Sequence, residues 1–288
     1  MRYANLAAGL TLGCALLVGA SAATADELKT VKFPSLDGKV DLVGYVSMPN
    51  GSGPFPAVVM MHGRQGPYST AAKGKYNAKT LSGRHKEWLE FWAEQGYVGI
   101  LVDGFGPRGY PKGFGKGSYE DRPPELDETT TRPSDSYATL KYLRTRPDII
   151  PGKIGIMGWS NGGSTVITTM AKNAMGYNTV GAQGGYLVGV AAYPGCGLKE
   201  KFKAGVDVSA PLHIFAAEDD DEVSPKLCVT LANRSKAKGY PVTVKVYPGA
   251  EHSFDAPGES KQSHAPNAEA TKDFYQQALT IFTAALKK

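Results

Sequence analysis

Cysteine is scarce in this chain: among 288 residues there are three, Cys14, Cys196 and Cys228. So few exclude a small fold built on disulfides and leave, once the N-terminal Cys14 is set apart, a single pair. Apolar runs long enough to cross a bilayer are missing too. The N-terminal stretch from Leu6 to Val18 is too short and too rich in Ala and Gly for a comfortable span. Strong charge of one sign is also absent. The 32 Lys and Arg against 27 Asp and Glu give a formal +5, with no basic cluster interleaved with aromatics, which argues against a nucleic-acid partner. There is no internal repeat and no linker-like stretch.

The first 25 residues carry a short basic start at Arg2, the Leu6–Val18 stretch and the small residues Ala23-Thr24-Ala25. That pattern is a signal peptide (residues 1–25) cut before Asp26, and it implies a periplasmic or secreted protein with no stable membrane insertion after cleavage. Cys14 is a poor lipid-attachment site, because Thr11 stands where such a box wants leucine. Removing 25 of 288 residues leaves 263, residues 26–288, which suits one α/β domain with a large core. Arg2 is the only charge lost, so the formal charge falls from +5 to +4. The two remaining cysteines, Cys196 and Cys228, are expected to pair, each following a strand expected to neighbour the other's. The bridge would close the loop between them and stabilise by about 3–4 kcal/mol in the loop-entropy picture.

What the chain does have is Gly158-Trp159-Ser160-Asn161-Gly162-Gly163, directly after the apolar run Ile154-Gly155-Ile156-Met157. A serine between two glycines, between a strand and a helix, is the layout of a nucleophile elbow. The turn is too sharp for a bulky residue at Gly158 or Gly162, and the serine hydroxyl is exposed above the sheet edge. The helix that begins immediately aims its first N–H groups at developing negative charge.

A serine nucleophile needs a base, and five histidines are on offer. His213 lies inside the apolar strand 211–216 and reads as a sheet or core residue. His85 opens a helix carrying Trp88, Phe91 and Trp92 and reads as a solvated helix-start residue. His264 sits in a polar loop with no strand feeding it. His62 follows Val58-Val59-Met60-Met61 and suits the shaping of a loop. His252 follows the strand-like run 242–247 and the turn Pro248-Gly249-Ala250, where a base is expected. The acid comes from Glu218-Asp219-Asp220-Asp221-Glu222, after the strand 211–216. Five adjacent carboxylates are mostly a solvated face, but one at a strand end can hold His252 in the right tautomer. Asp220 is preferred, three residues before the chain re-enters a packed segment at Val223, with Asp219 and Asp221 as alternatives. The order serine, acid, histidine is that of α/β-hydrolases.

Over nearly all of its mature length the chain resembles the dienelactone hydrolase family of α/β-hydrolases. The matching stretches are Pro56–Gly63, Val102–Gly109, Gly155–Gly163, Ala217–Asp220 and Tyr247–Phe254. The resemblance places Ser160 as nucleophile, Asp220 as acid and His252 as base. It implies an oxyanion hole from the backbone N–H groups of Asn161 and Arg64. Arg108 falls where the founding members hold a substrate carboxylate, and with Trp159 it is a candidate substrate contact. Three departures stand out. The founding members use a cysteine nucleophile; they carry a glutamate where this chain reads His62-Gly63-Arg64; and they carry an arginine after the catalytic histidine where Phe254-Asp255-Ala256-Pro257 has none. Ester chemistry survives these changes, whereas the dienelactone substrate does not follow.

The remaining pattern alternates strands and helices, as a mostly parallel sheet of about eight strands with helices on both faces requires. Strands are expected near 28–34, 39–48, 55–61, 97–102, 153–157, 187–193, 211–216 and 242–247. Helices are expected near 84–95, 134–146, 161–173, 225–238 and 267–286. The segment 104–131 breaks the pattern and reads as a lid or substrate wall, or as a surface loop whose arginine contacts only protein. Together these features point to an exported serine esterase of the α/β-hydrolase fold acting on a small-molecule ester or lactone, with no metal and no organic cofactor. A peptidase or polyester hydrolase on the same triad, and a binding protein that keeps only the fold, are the alternatives.

Overall fold

The computed structural model describes residues 28–287, so the expected signal peptide lies outside the described residues. Eight strands form one sheet: β1 (Lys29–Pro34), β2 (Asp41–Ser47), β3 (Phe55–Met61), β4 (Val98–Asp103), β5 (Ile149–Trp159), β6 (Gly189–Ala192), β7 (Leu212–Ala217) and β8 (Val242–Tyr247). Their spatial order is β1-β2-β4-β3-β5-β6-β7-β8. The first two strands run antiparallel to their neighbours and the rest are parallel. This is the α/β-hydrolase fold that the sequence pattern implies.

The near-continuous apolar runs of the central strands follow from burial on both faces. Ala57, Val59 and Met61 of β3 face one core, while Val58 and Met60 face the other. The first core is closed by α2 (Thr131–Arg144), α3 (Asn161–Met170) and α4 (Pro225–Ala237), through residues such as Leu140, Ile167 and Leu231. The second is closed by α1 (Gly83–Glu94) and, with α5 (Glu259–Gln262) preceding it, α6 (Ala265–Leu286), through Trp88, Trp92, Phe274 and Phe282. Among the described residues no helix is long and apolar enough to cross a membrane.

Boundaries moved where local chemistry outweighed periodicity. The second helix starts at Thr131 rather than 134, because Pro133 fits the first turn, where no intrahelical N–H bond is lost. Segment 104–131 keeps only two short 3-10 turns, Gly106–Arg108 and Pro124–Leu126. Cys196 and Cys228 form the expected disulfide, with a Cα–Cα distance of 5.0 Å, tying the loop after β6 to α4.

Candidate active site

Strand β5 delivers Ser160 to the carboxyl edge of the sheet, and the turn there is forced by its glycines. A Cβ on Gly158 would lie 2.5 Å from the Gly162 carbonyl oxygen, and one on Gly162 would lie 2.0 Å from that of Met61. Between them Ser160 holds φ 53° and ψ −121°, a strained left-handed conformation that lifts its hydroxyl clear of the strand. Its own N–H donates to the Ala192 carbonyl at 2.9 Å, fixing the turn to β6.

His252 sits in the loop after β8, with its side chain largely buried. Its Nε2 lies 3.0 Å from Ser160 Oγ and its Nδ1 lies 2.8 Å from Asp220 Oδ2. The other Asp220 oxygen accepts the N–H groups of Glu222 and Val223, both at 2.9 Å, so the carboxylate is held by its own loop and aimed at the imidazole. The acid and histidine loops are joined directly: Glu218 N–H donates to Tyr247 O and Asp219 N–H to Ala250 O. Among the described residues neither Asp219 nor Asp221 hydrogen-bonds His252, and the exposed Asp221 pairs instead with Lys116. A serine, an imidazole and a carboxylate in this chain can pass one proton from hydroxyl to imidazole and hold the resulting charge.

The first-turn N–H of Asn161 has no intrahelical acceptor and opens beside Ser160. The facing loop is pinned from three sides. Arg132 Nη2 donates to the His62 carbonyl at 2.7 Å, His62 Nδ1 donates to the Gly63 carbonyl at 2.7 Å, and Phe114 N–H donates to the Arg64 carbonyl at 2.8 Å. Arg132 also donates through Nη1 to Asn161 Oδ1, while Asn161 Nδ2 donates to Glu128 at 2.9 Å. One buried guanidinium thus ties the Asn161 side chain to the loop that leads into Arg64, and burial pulls its pKa down to about 10. Arg132 lies just before the helix expected from 134, where nothing in the sequence marks it as part of the site.

The Arg64 side chain turns away from the amide and clamps Glu222, Nε to Oε2 at 2.9 Å and Nη2 to Oε1 at 2.6 Å. Glu222 Oε2 also stands 3.6 Å from His252 Nε2. Burial works to raise the Glu222 pKa, but the Arg64 hydrogen bonds and the nearby His252 prevail and hold it low. This ion pair borders both lobes of the cleft around Ser160, one of about 490 Å³ and one of about 560 Å³.

Behind His252 lies Asp255, 1% exposed and shared by four groups. Its Oδ2 accepts the indole N–H of Trp88 at 3.1 Å and of Trp159 at 2.9 Å. Its Oδ1 accepts the Tyr193 hydroxyl at 2.5 Å and lies 3.0 Å from Arg84 Nε. The Tyr193 ring in turn packs edge-on against His252, centroids 4.9 Å apart.

Two expected substrate contacts are corrected here. Trp159 is fully buried and lines neither lobe. Strand alternation sends it to the same side as Met157, onto α1, where its indole binds Asp255. Arg108 also lines neither lobe: it grips Asp135 with both terminal nitrogens, at 2.8 and 2.9 Å, and caps the Gly104 carbonyl. Besides Arg64, the arginine that edges the second lobe is Arg122, whose buried Nε has no hydrogen-bond partner among the described residues. His85 is corrected as well. It is 3% exposed, packs against Trp159 and hydrogen-bonds the Pro67 carbonyl through Nδ1, and burial pulls its pKa down to about 4. His213 sits in β7, His264 on an exposed turn bonded to Gly249 O, and neither approaches Ser160.

The profile of the dienelactone hydrolase family matches residues 42–286. A Synechocystis sp. protein named "Putative carboxymethylenebutenolidase" is 24% identical over 275 residues, covering 91% of this chain and 99% of that protein. A dienelactone hydrolase-like promiscuous phosphotriesterase from metagenomic libraries superposes with a TM-score of 0.64 at 16% identity, covering 90% of this chain and 99% of the other. Thermogutta terrifontis esterase 2 does so with a TM-score of 0.61 at 16% identity, over 90% and 96% of the two chains. A match that runs from β2 to α6 and takes in the elbow and the histidine loop is decisive, and the chain belongs to the dienelactone hydrolase family of carboxylic ester hydrolases.

Proposed function

We propose that this chain is an exported serine esterase that cleaves small carboxylic esters or lactones through an acyl-enzyme. The observation that carries the reading is the unbroken chain Ser160 Oγ–His252 Nε2 (3.0 Å) and His252 Nδ1–Asp220 Oδ2 (2.8 Å) on a strained elbow. His252 takes the Ser160 proton as Oγ attacks the carbonyl carbon, and Asp220 stabilises the imidazolium. The oxyanion is held by the Asn161 and Arg64 N–H groups, each worth about 3 kcal/mol of barrier. His252 then protonates the leaving alkoxide, leaving the acyl group on Ser160. In the second half His252 deprotonates a water, which attacks the acyl carbon, and the proton returns to Ser160. A binding protein has no need of such a proton path. Export is supported by the N-terminal pattern and by the Cys196–Cys228 disulfide, a bond that oxidising compartments maintain.

The acid assignment tests the reading. Asp220→Asn should lower kcat on p-nitrophenyl acetate by about 10³-fold or more, because an amide holds the wrong tautomer of His252. Asp219→Asn and Asp221→Asn should stay within about threefold of wild type. Equal, small losses in all three variants would place the acid elsewhere.

A further inference from the structure

The two lobes beside Ser160 differ in chemistry, and the protonated histidine tells them apart. The leaving alkoxide must lie next to His252 Nε2, since that nitrogen donates its proton. His252 and Ser253 line the first lobe and not the second, which makes the first lobe the alcohol side. The second lobe runs past Asn161 and Ser164 on the nucleophile's helix, which makes it the acyl side.

Among the described residues the alcohol lobe is lined by no Leu, Ile, Val, Met or Phe; its apolar wall is limited to glycines, Ala256, Pro257 and the ring of Tyr68. In their place stand Gln65, Thr70, Ser82, Arg84 and Ser253. The amide of Gln65 and the hydroxyl of Thr70 hydrogen-bond no other group among the described residues, so their donors and acceptors are open to a ligand. The acyl lobe has charged groups on its lining too, among them the Arg64–Glu222 pair and Arg122, but it alone carries an apolar cluster, Leu198, Val223, Leu227 and Tyr119. Leu227 and Tyr119 are also two of the large apolar side chains most exposed in the fold, at 48% and 36%, and an acyl group seated there would cover them.

From this asymmetry we propose that the substrate is an apolar acyl ester of a polyhydroxylated, sugar-like alcohol, a specificity that rests on the serine-esterase reading. The open amide of Gln65 and hydroxyl of Thr70 pair with the hydroxyls of such an alcohol. An alkyl alcohol placed there leaves those groups unpaired and gains little apolar contact. The acyl side gains by burying a phenyl or branched aliphatic group against Leu198, Leu227 and Tyr119.

The test uses three esters of defined structure and the wild-type protein. The 3-phenylpropanoyl ester of methyl glucoside should be hydrolysed with a kcat/KM at least tenfold above that of hexyl 3-phenylpropanoate. It should also exceed acetyl methyl glucoside by at least tenfold. The double variant Gln65→Leu/Thr70→Val should lower the glucoside-to-hexyl ratio about tenfold, the size expected for two lost hydrogen bonds. A hexyl ester cleaved as well as or better than the glucoside ester overturns the alcohol assignment, and so does a ratio the double variant does not move. An acetyl ester cleaved equally well overturns the acyl assignment. In each case p-nitrophenyl acetate hydrolysis by the same preparation shows that the esterase reading stands; its absence, with no labelling of Ser160 by a fluorophosphonate, would instead bring down that reading.

Discussion

Replacing Asp255 by Asn removes one negative charge and almost no volume, at a carboxylate that two indoles, a phenol and a guanidinium share. The amide satisfies no orientation fully. With Nδ2 toward Trp88 and Trp159, two N–H donors face a third; with Nδ2 toward Arg84, a guanidinium faces an amide donor. In both cases Arg84, whose side chain is 17% exposed, loses its anionic partner. Breaking a buried ion pair from one side costs about 3–5 kcal/mol, and each orphaned donor adds about 1 kcal/mol or more. A total near 5 kcal/mol is a large share of the roughly 5–15 kcal/mol that holds a domain folded. Urea unfolding should show a lower midpoint at unchanged slope. Activity should fall about tenfold in what remains folded, because the Tyr193 ring that packs against His252 loses its hydroxyl anchor. In a double-mutant cycle with Arg84→Met, the second substitution should recover part of the loss, since no guanidinium then remains unpaired. A loss below about 1 kcal/mol, or a coupling energy below about 0.5 kcal/mol, would refute the view that this carboxylate joins the layers beneath the site.

Arg108→Ala should change kcat/KM for an anionic and a neutral ester of equal size by the same small factor, because the side chain is committed to Asp135; a selective loss on the anionic ester would show that it reads substrate after all. The same variant should lose about 3–5 kcal/mol of stability at pH 8, and less at pH 5. Burial pushes the Asp135 pKa up to about 6, so the folded state already disfavours its charged form as pH rises, and more so without Arg108. His85, held neutral with a pKa near 4 by burial, contributes stability that is present above about pH 6.5 and lost as pH falls toward 4. His85→Gln should flatten that limb of the unfolding profile by about 3 kcal/mol, and an unchanged limb would place the titration on another group.

The parts of this molecule that could be read along the chain are those built from neighbours in sequence. The elbow glycines, the strand before Ser160 and the turn before His252 are all local; the central strands followed from apolar runs buried on two faces, and the opening strands from the alternation of Val40, Leu42, Gly44 and Val46. Asp220 could be preferred over Asp219 and Asp221 only because the chain re-enters its packed course at Val223. Groups that act across the fold left no such trace. Asp255 reaches Trp88 across 167 positions and Trp159 across 96, so nothing beside it marks it as a hub. A carboxylate flanked by the apolar Phe254 and Ala256-Pro257 was the available signal. Arg132 likewise meets its partners 70 and 29 positions away. The two misread contacts share one cause: sequence position places Trp159 and Arg108 near the nucleophile but says little of where their side chains point. For Trp159 the strand alternation with Met157 was enough to decide it. For Arg108 the partner Asp135 lay beyond a long irregular segment and could not be matched in advance.

The most direct measurement of the proposed chemistry is the mass and site of the adduct formed with a fluorophosphonate probe. One adduct per chain, mapped to the peptide carrying Ser160, is expected. It should be lost in Ser160→Ala and strongly slowed in His252→Ala, with ester hydrolysis falling by about 10⁴-fold or more in parallel. An adduct on another residue, or a Ser160→Ala protein that keeps more than about a tenth of wild-type turnover, would contradict the assignment of Ser160 as the nucleophile.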